Sequence, residues 1–460
     1  MSNLPPKVVD LARAVRVAGG RAMLVGGCVR DELMDIGHKD WDVEVYGVEP
    51  ARLREILDSI GKVNVVGEAF TVYKIGSDLD VSVPRRERKV KRGHRGFIVQ
   101  GDPAMSFEEA CSRRDFTANA ILKDALTGEI IDPFDGRGDI RRKLLRMVLR
   151  ETFAEDSLRV LRAAQFAARF EFEITPDTIE VCKSIDVTDL PRERIWGEFE
   201  KLLLKAQKPS IGLKWLYELG VVRQIFPELQ SLVGVPQEPE WHPEGDVDVH
   251  TLMVADEARK LIDHLDHARK VTVMLAAVAH DFGKPPTTKH FDGRWRSHSH
   301  DEAGVKPTIS FLDRLGVYTI DGYDVRNQVI QLVRYHLKPG EYFKAKAPVG
   351  PGAFRRLARK VEPDLLYRVA KADSLGRNPD WLPKEEHFGS EGQEWFLAKV
   401  RELDIETRAP EPILMGRHLQ QMGLEPGPKY KQIIGAVYEM QLDGKVTNLD
   451  EAIAEARHLI

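Results

Sequence analysis

An α+β fold is predicted, with a small mixed sheet in an N-terminal head and a mainly α-helical remainder. Three observations predict it. Strand-like alternation is confined to the first stretch of the chain, and from about Ala154 the apolar spacing changes to the helical period. A chain of 460 residues is also too long for one core, and its length suggests about three domains.

Taken in order, residues 7–18 read as a helix closed by Gly19-Gly20, and Arg21–Val25 as a short strand running into Gly26-Gly27. A helix starts near Cys28. Strand-like stretches follow at Trp41–Tyr46, 70–75 and 79–83, with a helical Pro50–Ile60 between the first two. Later segments such as LRVLRAAQFAARF and WGEFEKLLLKA are helical, and few strand signals remain beyond them. Proline-rich punctuation at 235–243 and 377–386 marks two boundaries, and residues 410–460 read as short helices separated by Gly-Pro turns.

Hydrophobic residues at 42% and charged residues at 30% are ordinary for a globular chain, and a net charge of -4 does not advertise a polyanionic partner, so a nucleic-acid surface must be local. The candidate is RRERKVKRGHR at 85–95, with seven Lys or Arg against one Glu. Cys28, Cys111 and Cys182 have no paired spacing, which argues against a disulfide framework and fits a reducing cytoplasm. The N-terminus lacks a signal pattern and no apolar run approaches the roughly 18 residues that span a bilayer, so no membrane role is expected.

In KDWDVEV the period-two alternation puts Asp40 and Asp42 on one face of a strand. Two hard carboxylates at that spacing suit Mg²⁺ ions about 3.5 to 4 Å apart, one serving an attacking 3′-hydroxyl and one a triphosphate. Just before them, Gly26 and Gly27 lie between a strand and a helix, where backbone amides can approach phosphate, and Arg30 follows one turn in.

Together, LVGGCVRDELMDIGHKDWDVEVYG resembles the signature of the class II tRNA nucleotidyltransferase and poly(A) polymerase family, a branch of the polymerase β superfamily. RRDFTANA at 113–120, DPFDGRGDIRRKLLR at 132–146, EDSLRVLR at 155–162 and RERIWGEFEKL at 192–202 resemble further family motifs in the correct order. The resemblance implies a polymerase β-like nucleotidyltransferase head at 1–148 and a nucleotide-selecting neck at 149–238. It also implies that Asp40 and Asp42 are catalytic ligands of Mg²⁺, that Gly27, Arg30, Arg114 and Arg162 contact the incoming nucleotide, and that Asp156 and Arg159 read its base edge. A carboxylate and a guanidinium together can favour C or A over G or U, and residues three apart share a helix face. Gly26, Asp115, Glu155 and Gln165 complete the expected nucleotide-binding set; Gln165 departs from the family, in which many relatives carry a third Arg. Asp80 is a further carboxylate of uncertain register. The basic segment falls where the family has a flexible loop used in switching from C to A, so deleting 86–94 is expected to stop synthesis after two C residues.

A second constellation follows: His250, His280-Asp281, His300, His336 and Asp373, all residue types that ligate Mn, Fe, Ni, Co or Zn. Their order resembles the HD phosphohydrolase superfamily, which implies an HD domain at 239–385, a divalent transition metal (Ni, Mn, Co or Fe), and phosphatase or 2′,3′-cyclic phosphodiesterase activity. His242, His264, His267 and His290 are assigned to the surface, and 386–460 to a helical tail. The expected partners are tRNA, CTP and ATP. The alternatives are a poly(A) polymerase, a CC-adding enzyme, an HD phosphohydrolase with an RNA-binding head, and a non-enzymatic tRNA scaffold.

Overall fold

The computed structural model describes residues 4–37, 40–66, 72–89 and 97–460. The chain divides into two compact units, Met1–Leu202 with Ile211–Ile225, and Leu203–Ser210 with Phe226–Ile460.

The first unit opens with helix Pro6–Val17, whose proline sits in the first turn, where a missing N–H costs nothing, and which buries Val8, Leu11, Ala12 and Val15 at helical spacing. Strands β1 (Arg21–Val25), β2 (Trp41–Tyr46), β3 (Val63–Val66), β4 (Val72–Ile75), β5 (Leu79–Ser82), β6 (Arg85–Lys89), β7 (Phe97–Gly101), β8 (Leu122–Asp124) and β9 (Ile130–Ile131) follow. Seven of them form one sheet in the order β3-β4-β5-β2-β1-β8-β9. The β2–β5 pair is parallel and its neighbours antiparallel, which makes the sheet mixed. Val43, Val45 and Val81 point into a core shared with helices Pro6–Val17 and Pro50–Ile60. The alternation that buries them turns Asp42, Glu44 and Asp80 to the other face.

The strand expected over 70–75 is observed at Val72–Ile75; residues 70 and 71 lie outside the described residues. The basic segment is not simply a loop. Its first part is β6, paired antiparallel with β7, while 90–95 lie outside the described residues. Its charge hid the strand signal, yet Arg86 is neutralised by Asp102 at 2.8 Å and by Glu109. Beyond the sheet, helix Leu158–Phe170 buries nearly every residue from Val160 to Ala168, and β10 (Leu144–Leu145) pairs in parallel with β11 (Glu173–Ile174).

The second unit is built on helices Val247–Lys260, His267–Ala279, Val305–Leu315, Val325–Tyr335 and Pro363–Leu375. His267–Ala279 buries every residue from Val271 to Ala279, as a central helix must; all are apolar except Thr272, whose hydroxyl donates to the Ala268 carbonyl at 2.8 Å. One hairpin interrupts the helices, β12 (Thr288–Phe291) with β13 (Arg294–Ser297). Its turn residues Asp292 and Gly293 have φ of 48° and 77°, the left-handed pair that an Asp-Gly hairpin turn requires. At the C-terminus, helices Gly416–Gln421, Pro428–Leu442 and Leu449–Leu459 share a small core containing Leu419, Ile433, Val437 and Ala452.

Candidate active site and metal centre

In the parallel pair, Asp42 lies opposite Asp80. Both line a cavity of about 450 Å³ together with Glu44, Arg113, Arg114, Asp156 and Arg159. Lys74 Nζ donates to both oxygens of Asp80 at 2.8 and 2.7 Å. Glu44 accepts from the Tyr46 hydroxyl at 2.7 Å and lies 3.4 Å from Arg114 Nη2. Surrounding protein, and next the charge of Asp80, push the Asp42 carboxyl above its ordinary pKa; exposed Asp40 adds to the repulsion. Carboxylates crowded until they repel one another are a donor set suited to a hard divalent cation.

Gly26 has φ of 68°, and a Cβ there would stand 3.1 Å from Arg114 Nη1, so glycine permits both the turn and the approach of this arginine. Gly27 opens the helix Gly27–Leu33.

Arg30 is not brought to the cavity. It is buried, donates to Asp31 Oδ1 and Asn119 Oδ1, and lies over the rings of Phe166 and Phe170 at 5.2 and 4.5 Å. Asp115 is buried too, accepting from Arg162 Nε at 2.8 Å, Asn119 Nδ2 at 2.9 Å and the Phe116 amide at 2.8 Å. Burial opposes its ionisation, but Arg162 and Asn119 hold its pKa at about 2. Arg30, Asn119, Asp115 and Arg162 thus form one chain tying helix Gly27–Leu33 to helix Leu158–Phe170. Gln165 is buried, and its Nε2 has no hydrogen-bond partner among the described residues.

At the head of helix Leu158–Phe170, Asp156 Oδ1 accepts from the Leu158 amide at 3.2 Å, and Arg159 donates to the carbonyls of Thr152 and Arg113. Both reach the cavity; Glu155, beside them, is not among its lining residues.

In the second unit, His250, His280, Asp281, His300, His336 and Asp373 converge from five segments. His280, His300 and His336 each direct Nδ1 at a backbone carbonyl, of Ala277, Ser297 and Val333, at 2.7, 2.8 and 2.6 Å. His250 Nδ1 is 2.7 Å from Glu244 Oε1. With Nδ1 so engaged, Nε2 of His280, His300 and His336 presents a lone pair inward, whereas His250 lies between two carboxylates, Glu244 at Nδ1 and Asp373 at Nε2. His250 Nε2 lies 3.1 Å from Asp373, His280 Nε2 is 3.2 Å and His300 Nε2 3.4 Å from Asp281, and His300 and His336 meet at 3.2 Å. Three potential ligand groups result, His242-Glu244-His250, His250-His280-Asp281 and Asp281-His300-His336, linked through the shared His250 and Asp281. His280 Nε2 is buried without a hydrogen bond among the described residues. Such an orphaned nitrogen fits a metal ligand.

Burial disfavours charge on Asp281 and Asp373, but surrounding His280, Lys284 and His250 hold both carboxyls well below the usual range. Burial and the charges of His300 and His280 lower His336 to about 4, leaving it a neutral imidazole. A Cβ on Gly283 would fall 1.9 Å from the His300 carbonyl, so glycine is what lets the His300 backbone close against the His-Asp segment.

Sequence reasoning missed Glu44, Arg113, Glu244 and Lys284 and left Asp80 undecided. Glu44 continues the period-two series of Asp40 and Asp42, a signal that was present. His242 is not an idle surface residue: its Nδ1 lies 2.9 Å from buried Glu244, and it lines a cavity of about 440 Å³ over the cluster with Lys284 and Arg377.

A Poly A polymerase head domain family matches residues 22–146, a family described as "Probable RNA and SrmB- binding site of polymerase A" matches 171–232, and an HD domain family matches 247–378. A Multifunctional CCA protein of Xanthomonas campestris is 39% identical over 84% of this chain and 91% of its own length. One of Actinobacillus pleuropneumoniae is 36% identical over 84% and 92%. Among solved structures, the CCA-adding enzyme of Bacillus stearothermophilus in complex with CTP superposes with a TM-score of 0.65 at 20% identity, covering 99% of this chain and 98% of that one. The Thermotoga maritima CCA-adding enzyme complexed with tRNA gives 0.60 at 17% identity, covering 99% and 96%. At these identities the structural likeness is one of fold.

Proposed function

The chain belongs to the multifunctional CCA protein family, and from that premise we propose that it adds C, C and A in turn to the 3′ end of tRNA from CTP and ATP. The observation that carries this reading is the register of Asp42 against Asp80 in a cavity that also holds Arg113, Arg114, Asp156 and Arg159. Asp40, Asp42 and Asp80 hold Mg²⁺, which when bound neutralises the triphosphate and favours the ionised 3′-hydroxyl. A bond forms between the 3′-oxygen and the α-phosphorus, and the α–β bridge breaks to release pyrophosphate. Arg113 and Arg114 bind the triphosphate, with Gly26 and Gly27 at its edge. Asp156 and Arg159 select the base. Arg30, Asp115 and Arg162 brace the two helices that carry these groups, and the unpaired Gln165 amide supplies a neutral donor beside them.

In the second unit, His250, His280, Asp281 and Asp373, with His300 and His336, hold a divalent transition metal, Ni, Mn, Co or Fe. When bound it polarises a phosphate and acidifies water. Lys284 and Arg377 take up phosphate charge. Water attacks a 2′,3′-cyclic phosphate, one P–O bond to the ribose breaks and that oxygen takes a proton; a second hydrolysis frees the diol that nucleotide addition needs. The roles divide the chain into a head at 1–148, a neck at 149–238, an HD domain at 239–385 and a tail at 386–460. A cytoplasmic location fits its three free cysteines.

The test is incubation of the protein with tRNA lacking its CCA end and labelled CTP and ATP, followed by product sizing. Three added nucleotides are expected. A long A tract or a stop after two overturns the reading.

A further inference from the structure

We propose that the β12–β13 hairpin and Trp241 form a stacking platform for the unpaired 3′-terminal nucleotides of RNA, which leads their terminal phosphate to the metal centre of the second unit. The inference rests on the phosphohydrolase reading above and names the substrate class of that site.

The hairpin is aromatic and basic. Phe291, Trp295 and nearby Trp241 are 60%, 37% and 41% exposed, an unusual grouping of large aromatic side chains on a protein surface. His290 and Trp295 are cross-strand partners with ring centroids 5.0 Å apart, and Arg294 lies 5.5 Å over the Trp241 ring. Glu240 pairs with Arg294 at 2.8 Å and Glu238 accepts from the Trp295 amide at 3.0 Å, so the acids here organise the aromatics. Lys289 and Arg296 remain, and the buried Arg296 Nε has no hydrogen-bond partner among the described residues.

A cavity of about 220 Å³ runs from Trp241 and Trp295 past Arg296 to His242, Lys284 and His300. The last three also line the cavity over the metal cluster, so the platform is continuous with it. A second cavity, of about 350 Å³, shares Arg296 and lies beside Phe291 and Lys289. Flat π faces with interleaved cations accept any base on a negatively charged backbone. The terminal base stacks at Trp241 and Trp295, the preceding one at Phe291, and Arg296 lies between the two phosphates. A path that ends on phosphate-binding and metal-ligating groups favours an RNA end over a protein partner.

The test uses the full chain and its W241A/W295A variant, loaded with metal, on two diesters: a hexaribonucleotide ending in 2′,3′-cyclic phosphate, and base-free bis(p-nitrophenyl) phosphate. The KM for the oligonucleotide is expected to rise about 30-fold, while the base-free diester stays within about twofold and CCA addition is unchanged, which also shows that the variant folds. Oligonucleotide kinetics that do not change, or equal losses on both diesters, overturn the proposal. A readout independent of hydrolysis is photo-crosslinking of the same oligonucleotide carrying a terminal 4-thiouridine. Adducts on 288–297 or Trp241 support the platform; adducts confined to other segments, or capture of protein rather than RNA by a photoreactive residue placed at 291, overturn it. A wild-type protein that hydrolyses neither diester refutes the phosphohydrolase reading alone, and the crosslinks then decide the platform.

Discussion

Asp42 on β2 and Asp80 on β5 are register partners across a parallel strand pair, although 38 positions separate them in a chain where Asp40 stands only two away. Each therefore faces the same cavity. Asp42→Ala and Asp80→Asn are each expected to cut C and A incorporation by at least about 10²-fold while leaving hydrolysis in the second unit intact. Incorporation at normal rate by either variant would move the catalytic centre elsewhere.

Base choice is expected to follow Asp156 and Arg159. A hydrogen-bonded pair of this kind discriminates by about 1–3 kcal/mol, so Asp156→Ala should raise G or U incorporation relative to C by roughly one to two orders of magnitude. Single-nucleotide incorporation assays with each triphosphate measure it.

Asp115 should contribute to stability rather than to nucleotide contact. Its folded pKa of about 2 lies below the ordinary carboxylate value, so its contribution is present above the unfolded pKa and lost as pH falls through the folded one. Asp115→Asn is expected to lower stability by about 2 kcal/mol at neutral pH, with the gap closing between about pH 5 and 2. Urea unfolding across that range tests it, and a gap independent of pH contradicts it.

Glu244 Oε1 lies 2.7 Å from His250 Nδ1 and 2.9 Å from His242 Nδ1; burial raises its pKa, but these two imidazoles hold it at about 2. As the group that fixes the His250 tautomer it is a positioning residue. Glu244→Gln is expected to weaken metal binding by about 10- to 100-fold without changing CCA addition, as read by calorimetric titration of the metal-free chain.

Burial alone would lower the pKa of His250, but Asp373 and Glu244 lift it to about 9, so below that pH a metal must displace a proton. Apparent metal affinity should climb about tenfold per pH unit from about pH 6 to 8 and flatten near 9. Metal titration with proton-release measurement checks this; pH-independent affinity rules it out.

What the sequence by itself determined was local and periodic. Alternation along β2 turned Asp42 and Glu44 to one face, because strand geometry repeats every two residues whatever surrounds it. Asp40 precedes that strand and Asp156 precedes helix Leu158–Phe170, so the shared faces expected for Asp40 with Asp42 and for Asp156 with Arg159 are not faces of one element, and Asp156 meets Arg159 at the cavity instead. The Asp-Gly turn of the β12–β13 hairpin was equally local, though its signal was passed over. Tertiary structure alone decided that Asp80 stands beside Asp42, since strand register is set by which apolar residues share a core. It alone turned Arg30 inward onto Asp31 and Asn119, joined Glu244 to His250, and gathered six His and Asp side chains from segments spread over more than a hundred residues. Such pairings depend on packing between distant segments, and no period within the chain encodes them.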